Sequence, residues 1–144
     1  MGLSFSTKGS LKGLVKKLDK INKDFDSGEF LEDTAKLINS SIQVRVQKDG
    51  KGVKGLKMKT YSGPYGTFKQ NSGRQIAFRD LTYSGSMWQS LTTSKGKNQA
   101  KMFFGDAESV NKASGNNART PFFGISPKEK ALLVREINKL IKTL

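Results

Sequence analysis

The chain predicts an α+β fold: a small antiparallel sheet of three or four strands, packed against two N-terminal helices and one C-terminal helix. Three observations predict it. Apolar residues recur at three- and four-residue steps near both ends, the mark of amphipathic helices. Between them, two short apolar runs flank a polar turn, as in a hairpin. Finally, Ser126-Pro127-Lys128-Glu129 combines a capping serine, a first-turn proline and an acid at the third helical position, a strong helix start. At 144 residues the chain reads as one domain, 1–144, with an extended basic loop at about 48–74.

In chain order, Leu3 and Phe5 alternate with Ser4 and Ser6, which suits a short first strand. Ser10 then caps a helix whose apolar stripe is Leu11, Leu14, Val15, Leu18, Ile21 and Phe25, with Lys12, Lys16, Lys20 and Lys23 on the opposite, solvated face. Asp26-Ser27-Gly28-Glu29 has the form of a capping box. It opens a second helix with Phe30, Leu31, Ala35, Ile38, Ile42 and Arg45 near one face, ending near Gln47. Acids in its first turns and Arg45 near its end suit the helix dipole.

Residues 48–74 change character. Six glycines and a proline exclude a long regular element. From Arg45 to Arg74 there are eight basic residues against one acid, Asp49. Tyr61, Tyr65 and Phe68 argue against an idle, disordered linker. This loop is expected to be a contact arm, with Lys48, Lys51, Lys54, Lys57, Lys59, Tyr61, Tyr65, Lys69 and Arg74 facing a partner.

Residues 77–91 hold the only tryptophan, Trp88, with Phe78, Leu81, Tyr83, Met87 and Leu91, interrupted by a turn at Ser84-Gly85-Ser86. Leu91–Thr93 and Lys101–Phe104 then form the hairpin around Ser94, Gly96 and Asn98. Residues 105–118 are polar and read as a loop. The last helix, after Ser126, carries Leu133, Val134, Ile137, Leu140, Ile141 and Leu144 on one face.

Composition narrows the function. Without cysteine there is no disulfide and no thiolate metal site; without histidine, the commonest general base and metal ligand are missing. The spacing Gly50 to Gly55 is that of a phosphate loop, but Leu56 stands where the lysine belongs. Neither an enzyme nor a cofactor is expected. No apolar run approaches the ~20 residues of a membrane span, and the first residues lack a signal-peptide pattern. A net charge of +14 calls for an acidic partner, whether nucleic acid, an acidic protein surface or an anionic membrane, without choosing among them. Charge and aromatic residues in the 48–74 loop make a small nucleic-acid-binding protein the alternative function.

Two stretches together resemble a known family. Asp80-Leu81-Thr82-Tyr83-Ser84-Gly85-Ser86-Met87-Trp88-Gln89-Ser90-Leu91 resembles the D-T-G-x-L-x-x-S-L signature of the tailed-bacteriophage virion-morphogenesis proteins, the tail-completion or head–tail joining family. Arg119-Thr120-Pro121-Phe122-Phe123-Gly124-Ile125-Ser126 resembles its R-P-F-L-G-L-S stretch, with Thr120 inserted. Tyr61-Ser62-Gly63-Pro64-Tyr65 is similar to its mid-chain loop. Where the family often has a histidine, this chain has Ser109-Val110-Asn111-Lys112-Ala113. The resemblance implies a structural part of the virion, assembled in the host cytoplasm. Its subunits would form a homo-oligomeric ring, hexameric by the resemblance, at the head-proximal end of the tail. The ring's neighbours would be tail terminator or tail tube proteins and head-connector proteins, with the passing genome also within reach. The resemblance implies neither catalysis nor a cofactor. The motif residues Leu81, Gly85, Met87, Trp88, Leu91, Arg119, Pro121, Phe122, Phe123, Gly124 and Ser126 are expected to form core and turns, with the basic loop making the contact.

Overall fold

The computed structural model describes residues 2–6, 12–13, 16–17, 20 and 25–143. In chain order the elements are β1 (Gly2–Ser6), α1 (Ser27–Gln47), α2 (Gly63–Asn71), α3 (Ser86–Gln89), β2 (Leu91–Gly96), β3 (Gln99–Phe104), α4 (Ala107–Arg119) and α5 (Pro127–Lys142). The fold is α+β, as expected. Of the helix predicted after Ser10, Lys12, Gly13, Lys16, Lys17 and Lys20 are helical; its stripe residues Leu11, Leu14, Val15, Leu18 and Ile21 lie outside the described residues.

The sheet has the order β1-β3-β2, antiparallel throughout. The β2–β3 hairpin closes at Gly96↔Gln99 around Lys97 and Asn98, with Asn98 in the left-handed region at φ 55°. Alternation sorts β3: Ala100, Met102 and Phe104 are buried while Lys101 is exposed. Leu3 and Phe5 of β1 stand opposite Met102 and Ala100, and Leu91 of β2 stands opposite Phe104, so one face of the sheet is apolar.

That face is covered by α1. Leu31, Ala35, Ile38, Ile42 and Val46, spaced four and three residues apart, are all buried. Ile38 and Ile42 are fully enclosed, each worth about 1.5–3 kcal/mol of burial. The helix starts where predicted: the Asp26 carboxylate accepts from the Glu29 amide at 3.1 Å. The opposite carboxylate oxygen of Asp26 takes the Lys95 ammonium at 2.9 Å, tying the helix start to the end of β2. The two elements meet closely there, since a Cβ on Gly28 would lie 2.3 Å from the Gly96 carbonyl oxygen.

Two expectations need correction. Residues 105–118 are not a loop but mostly the helix α4, capped by Asp106, which accepts from both the amide and the hydroxyl of Ser109 at 2.8 Å. Its inward stripe is only Ser109 and Ala113, with Val110 partly buried, too short for periodicity to reveal. Likewise the basic 48–74 segment contains a regular element, α2. Pro64 sits in its first turn, where no amide donor is needed, so the proline starts the helix rather than preventing it.

The last helix begins with the predicted capping box: the Ser126 hydroxyl accepts from the Glu129 amide, and the Glu129 carboxylate accepts from the Ser126 amide at 2.8 Å. Its apolar face is less covered than expected, because Leu133 is half-buried while Val134 and Ile141 are 49% and 47% exposed. Leu144 lies outside the described residues. No helix among the described residues is long and apolar enough to cross a membrane.

Candidate functional site

The two motif stretches pack on each other. Trp88, 4% exposed, meets Phe122 edge to face with ring centroids 5.7 Å apart, and Phe123 packs on Phe104 at 5.1 Å. Around the first stretch, Gly85 caps α3 with φ 84°, a left-handed backbone natural to glycine. Met87 and Leu91 are buried beside Trp88. The second stretch is held from three sides. Asn117 Oδ1 accepts the amides of Phe122 and Phe123 at 3.0 and 2.9 Å. The Pro121 carbonyl accepts the Val53 amide at 2.8 Å. The Phe122 and Gly124 carbonyls each accept from Arg45 at 3.1 Å.

Arg45 is the contact that sequence reasoning missed. Placed among the apolar positions of α1 and read as a dipole partner, it is 4% exposed and its Nε lies 3.2 Å from Glu129 Oε1. A third donor reaches the Lys51 carbonyl at 3.2 Å. Glu129, fully buried, also accepts from Ser41 Oγ at 2.9 Å and from the Ser126 hydroxyl. Burial pushes the Glu129 carboxyl upward, but the Ser126 hydrogen bonds, the Arg45 charge and Ser41 outweigh it and hold the group below its ordinary value. A basic residue inside an apolar stripe was the available signal.

The basic loop divides into two parts. Lys48, Lys51, Lys54, Lys57 and Lys59 are exposed, as a contact role requires. Their backbone is nevertheless organised: the Lys51 amide donates to the Arg45 carbonyl, Gly52 to Leu56 and Met58 to Gly50, with Met58 buried. The lysines therefore project from an ordered support that is tied to Pro121.

Lys69 corrects the contact assignment. It is 0% exposed, with its Nζ 2.6 Å from Asp80 Oδ1 and 2.9 Å from the Tyr61 hydroxyl, and so cannot meet a partner. The Tyr61 hydroxyl donates to the same Asp80 oxygen at 2.6 Å and accepts the Leu81 amide at 3.2 Å. Burial, then the neighbouring Asp80, raise the Tyr61 phenol well above its ordinary value, so it stays a donor. Burial opposes ionisation of Asp80 too, but hydrogen bonds led by Gln75, Lys69 and Tyr61 hold its carboxyl below the usual range. The Asp80 carbonyl accepts Trp88 Nε1 at 3.2 Å, so this cluster joins α2 to the tryptophan turn.

Beside that cluster lies an open cleft of about 500 Å³ between α2, residues 81–87 and α4. Aromatic rings run along it: Tyr61 to Tyr65 at 5.2 Å, Tyr65 to Phe68 at 6.2 Å, and Phe68 stacked on Tyr83 at 5.5 Å. Tyr65, Phe68 and Tyr83 are 40%, 53% and 39% exposed. Arg79, Lys112 and Arg119 also line it, and Arg74 lies over the Tyr83 ring at 4.5 Å. Lys112 pairs with Glu108 at 2.6 Å; among the described residues no carboxylate pairs with Arg74, Arg79 or Arg119. Leu81, in its wall, has φ 57°, a strained backbone for leucine. Thus the structure brings Tyr61, Tyr65, Leu81, Gly85, Met87 and Arg119 together with Tyr83, Arg79 and Lys112, which sequence reasoning had not assigned to a site.

Comparison with protein-family models, with curated proteins and with solved structures finds no match to this chain.

Proposed function

We propose that this protein is a structural subunit of a tailed-bacteriophage virion, a tail-completion or head–tail joining protein that forms a ring at the neck. The observation that carries the reading is the direct packing of the two family-like stretches, Trp88 against Phe122, within one core. Residues 80–91 and 119–126 are distant in sequence, and their packing in one core supports reading the two likenesses together.

Surface features support assembly. Leu37 and Val44 on α1, and Val134 and Ile141 on α5, are large apolar residues spaced seven apart on their helices and left exposed. Such stripes are what neighbouring copies in a ring bury. The lysines from Lys48 to Lys59 then present a basic patch from the loop anchored at Pro121, suited to an acidic surface of a tail or head-connector protein. A ring repeats each weak contact, so modest per-copy affinity yields firm docking. On this reading the protein works by binding, without a cofactor, and resides in the virion.

The test is complementation in vitro. Purified protein is added to tails that lack it, together with filled heads, and joined particles are counted by electron microscopy. The expected result is a ring on the head-proximal tail end and a gain in joined particles. Absence of both refutes the proposal.

A further inference from the structure

The aromatic cleft beside α2 goes beyond the neck reading and does not depend on it. Its rings stand partly in solvent: Phe68, in a nine-residue helix whose buried residues are Gly66 and Lys69, is 53% exposed. Two rings adjoin it, Tyr65 and Tyr83, forming a continuous aromatic run rather than scattered surface residues. The floor is fixed rather than soft, because Tyr61 is anchored through its hydroxyl to Asp80 and Lys69, with the Lys69 ammonium 4.1 Å from the Tyr61 ring centre. The walls supply positive charge from Arg79 and Arg119, and among the described residues no carboxylate belongs to the lining.

We propose that this cleft binds single-stranded nucleic acid, taking an unpaired base against Tyr65 and Phe68, the latter backed by Tyr83, and its phosphates against Arg79 and Arg119. Aromatic faces along a cationic groove are the two ingredients of strand binding without sequence preference. A duplex does not satisfy this cleft, because paired bases keep their faces stacked on one another. An acidic peptide satisfies the arginines but leaves the ring faces unmatched. The net charge of +14 adds the long-range attraction that brings a polyanion to the surface.

The experiment is fluorescence anisotropy of the full chain at physiological salt with four labelled probes of about 20 units each: oligothymidylate, oligouridylate, a DNA duplex and polyglutamate. Either single strand should bind on the order of tenfold tighter than duplex or polyglutamate, and the comparison of the two strands tells DNA from RNA. Phe68→Leu, which keeps apolar bulk but removes the ring, should lower single-strand affinity on the order of tenfold, while Phe68→Tyr retains it. Because the side chain is half in solvent, both variants should keep the parent melting temperature, which circular dichroism checks. Arg79→Gln and Arg119→Gln should each reduce the dependence of log affinity on log salt by about 0.7. Equal binding of duplex and single strand, equal binding of polyglutamate, or a folded Phe68→Leu variant with unchanged affinity would each overturn the proposal. A failure here leaves the joining assay unaffected, and a failure of joining leaves this binding unaffected.

Discussion

Replacing Arg45 with methionine should be among the most damaging single changes in the protein. The guanidinium is buried at 4% exposure and serves four acceptors: Glu129 Oε1 and the carbonyls of Lys51, Phe122 and Gly124. Methionine fills much of the space but donates nothing, so the fully buried Glu129 carboxylate loses its counter-charge. Breaking a buried pair from one side costs about 3–5 kcal/mol, a large fraction of the stability of a domain this size. In melting temperature that is on the order of 10 °C or more. Urea unfolding of Arg45→Met, Glu129→Leu and the double variant completes a cycle. The double variant should be less damaged than the sum of the singles by about 1–3 kcal/mol, since it leaves no orphaned charge. The pair also sets a pH dependence. The folded-state pKa of Glu129 is depressed below its unfolded value near 4.5, so its contribution is fully present above that value and is lost as pH falls through the folded pKa. In Arg45→Met this acid-side loss should shrink. An Arg45→Met variant within 1 kcal/mol of the parent, or an additive cycle, would refute the reasoning.

Lys69→Met should cost about 3 kcal/mol in urea unfolding, because Asp80 and the Tyr61 hydroxyl lose a buried cation; a loss confined to partner binding would contradict its structural role. Gly28→Ala should destabilise by about 1–3 kcal/mol, measured by thermal unfolding, because the added carbon meets the Gly96 carbonyl at 2.3 Å between α1 and the hairpin. Replacing Lys51, Lys54, Lys57 and Lys59 together by serine should leave the melting temperature nearly unchanged, about 0.5 kcal/mol or less per exposed site, while weakening docking in the joining assay. A large fall in melting temperature would show that the lysines support the loop rather than a partner.

What could be read from the sequence was local. The stripe of α1, the hairpin and the box at Ser126 and Glu129 each depend on residues within a few positions, and each formed, although the hairpin strands run on through Ser94 to Gly96, where a turn was expected, and leave only Lys97 and Asn98 between them. Helix α4 escaped because its inward face is two small residues, leaving no apolar rhythm; Asp106 three places before Ser109 was the signal that could have found it. Helix α2 escaped because Gly63, Pro64 and Gly66 read as breakers, although proline in a first turn is a starter. The site was only half legible. Tyr61 and Tyr65 were placed in it, but composition cannot distinguish an exposed lysine from Lys69, whose acid partner lies eleven residues away on a different segment. Arg45 and Glu129, 84 residues apart, are paired only by the fold.

The position of β1 at the outer edge of β3 also governs when the molecule can become whole. Gly2–Ser6 is translated early, yet its partners are Gln99–Phe103, so the strand must wait for nearly a hundred residues to be added. At ribosomal rates of about 5–20 residues per second this is an interval of about 5–20 s. The hairpin, closed by two residues, has the more local pairing, whereas β1 can pair with β3 only once Gln99–Phe103 have been made.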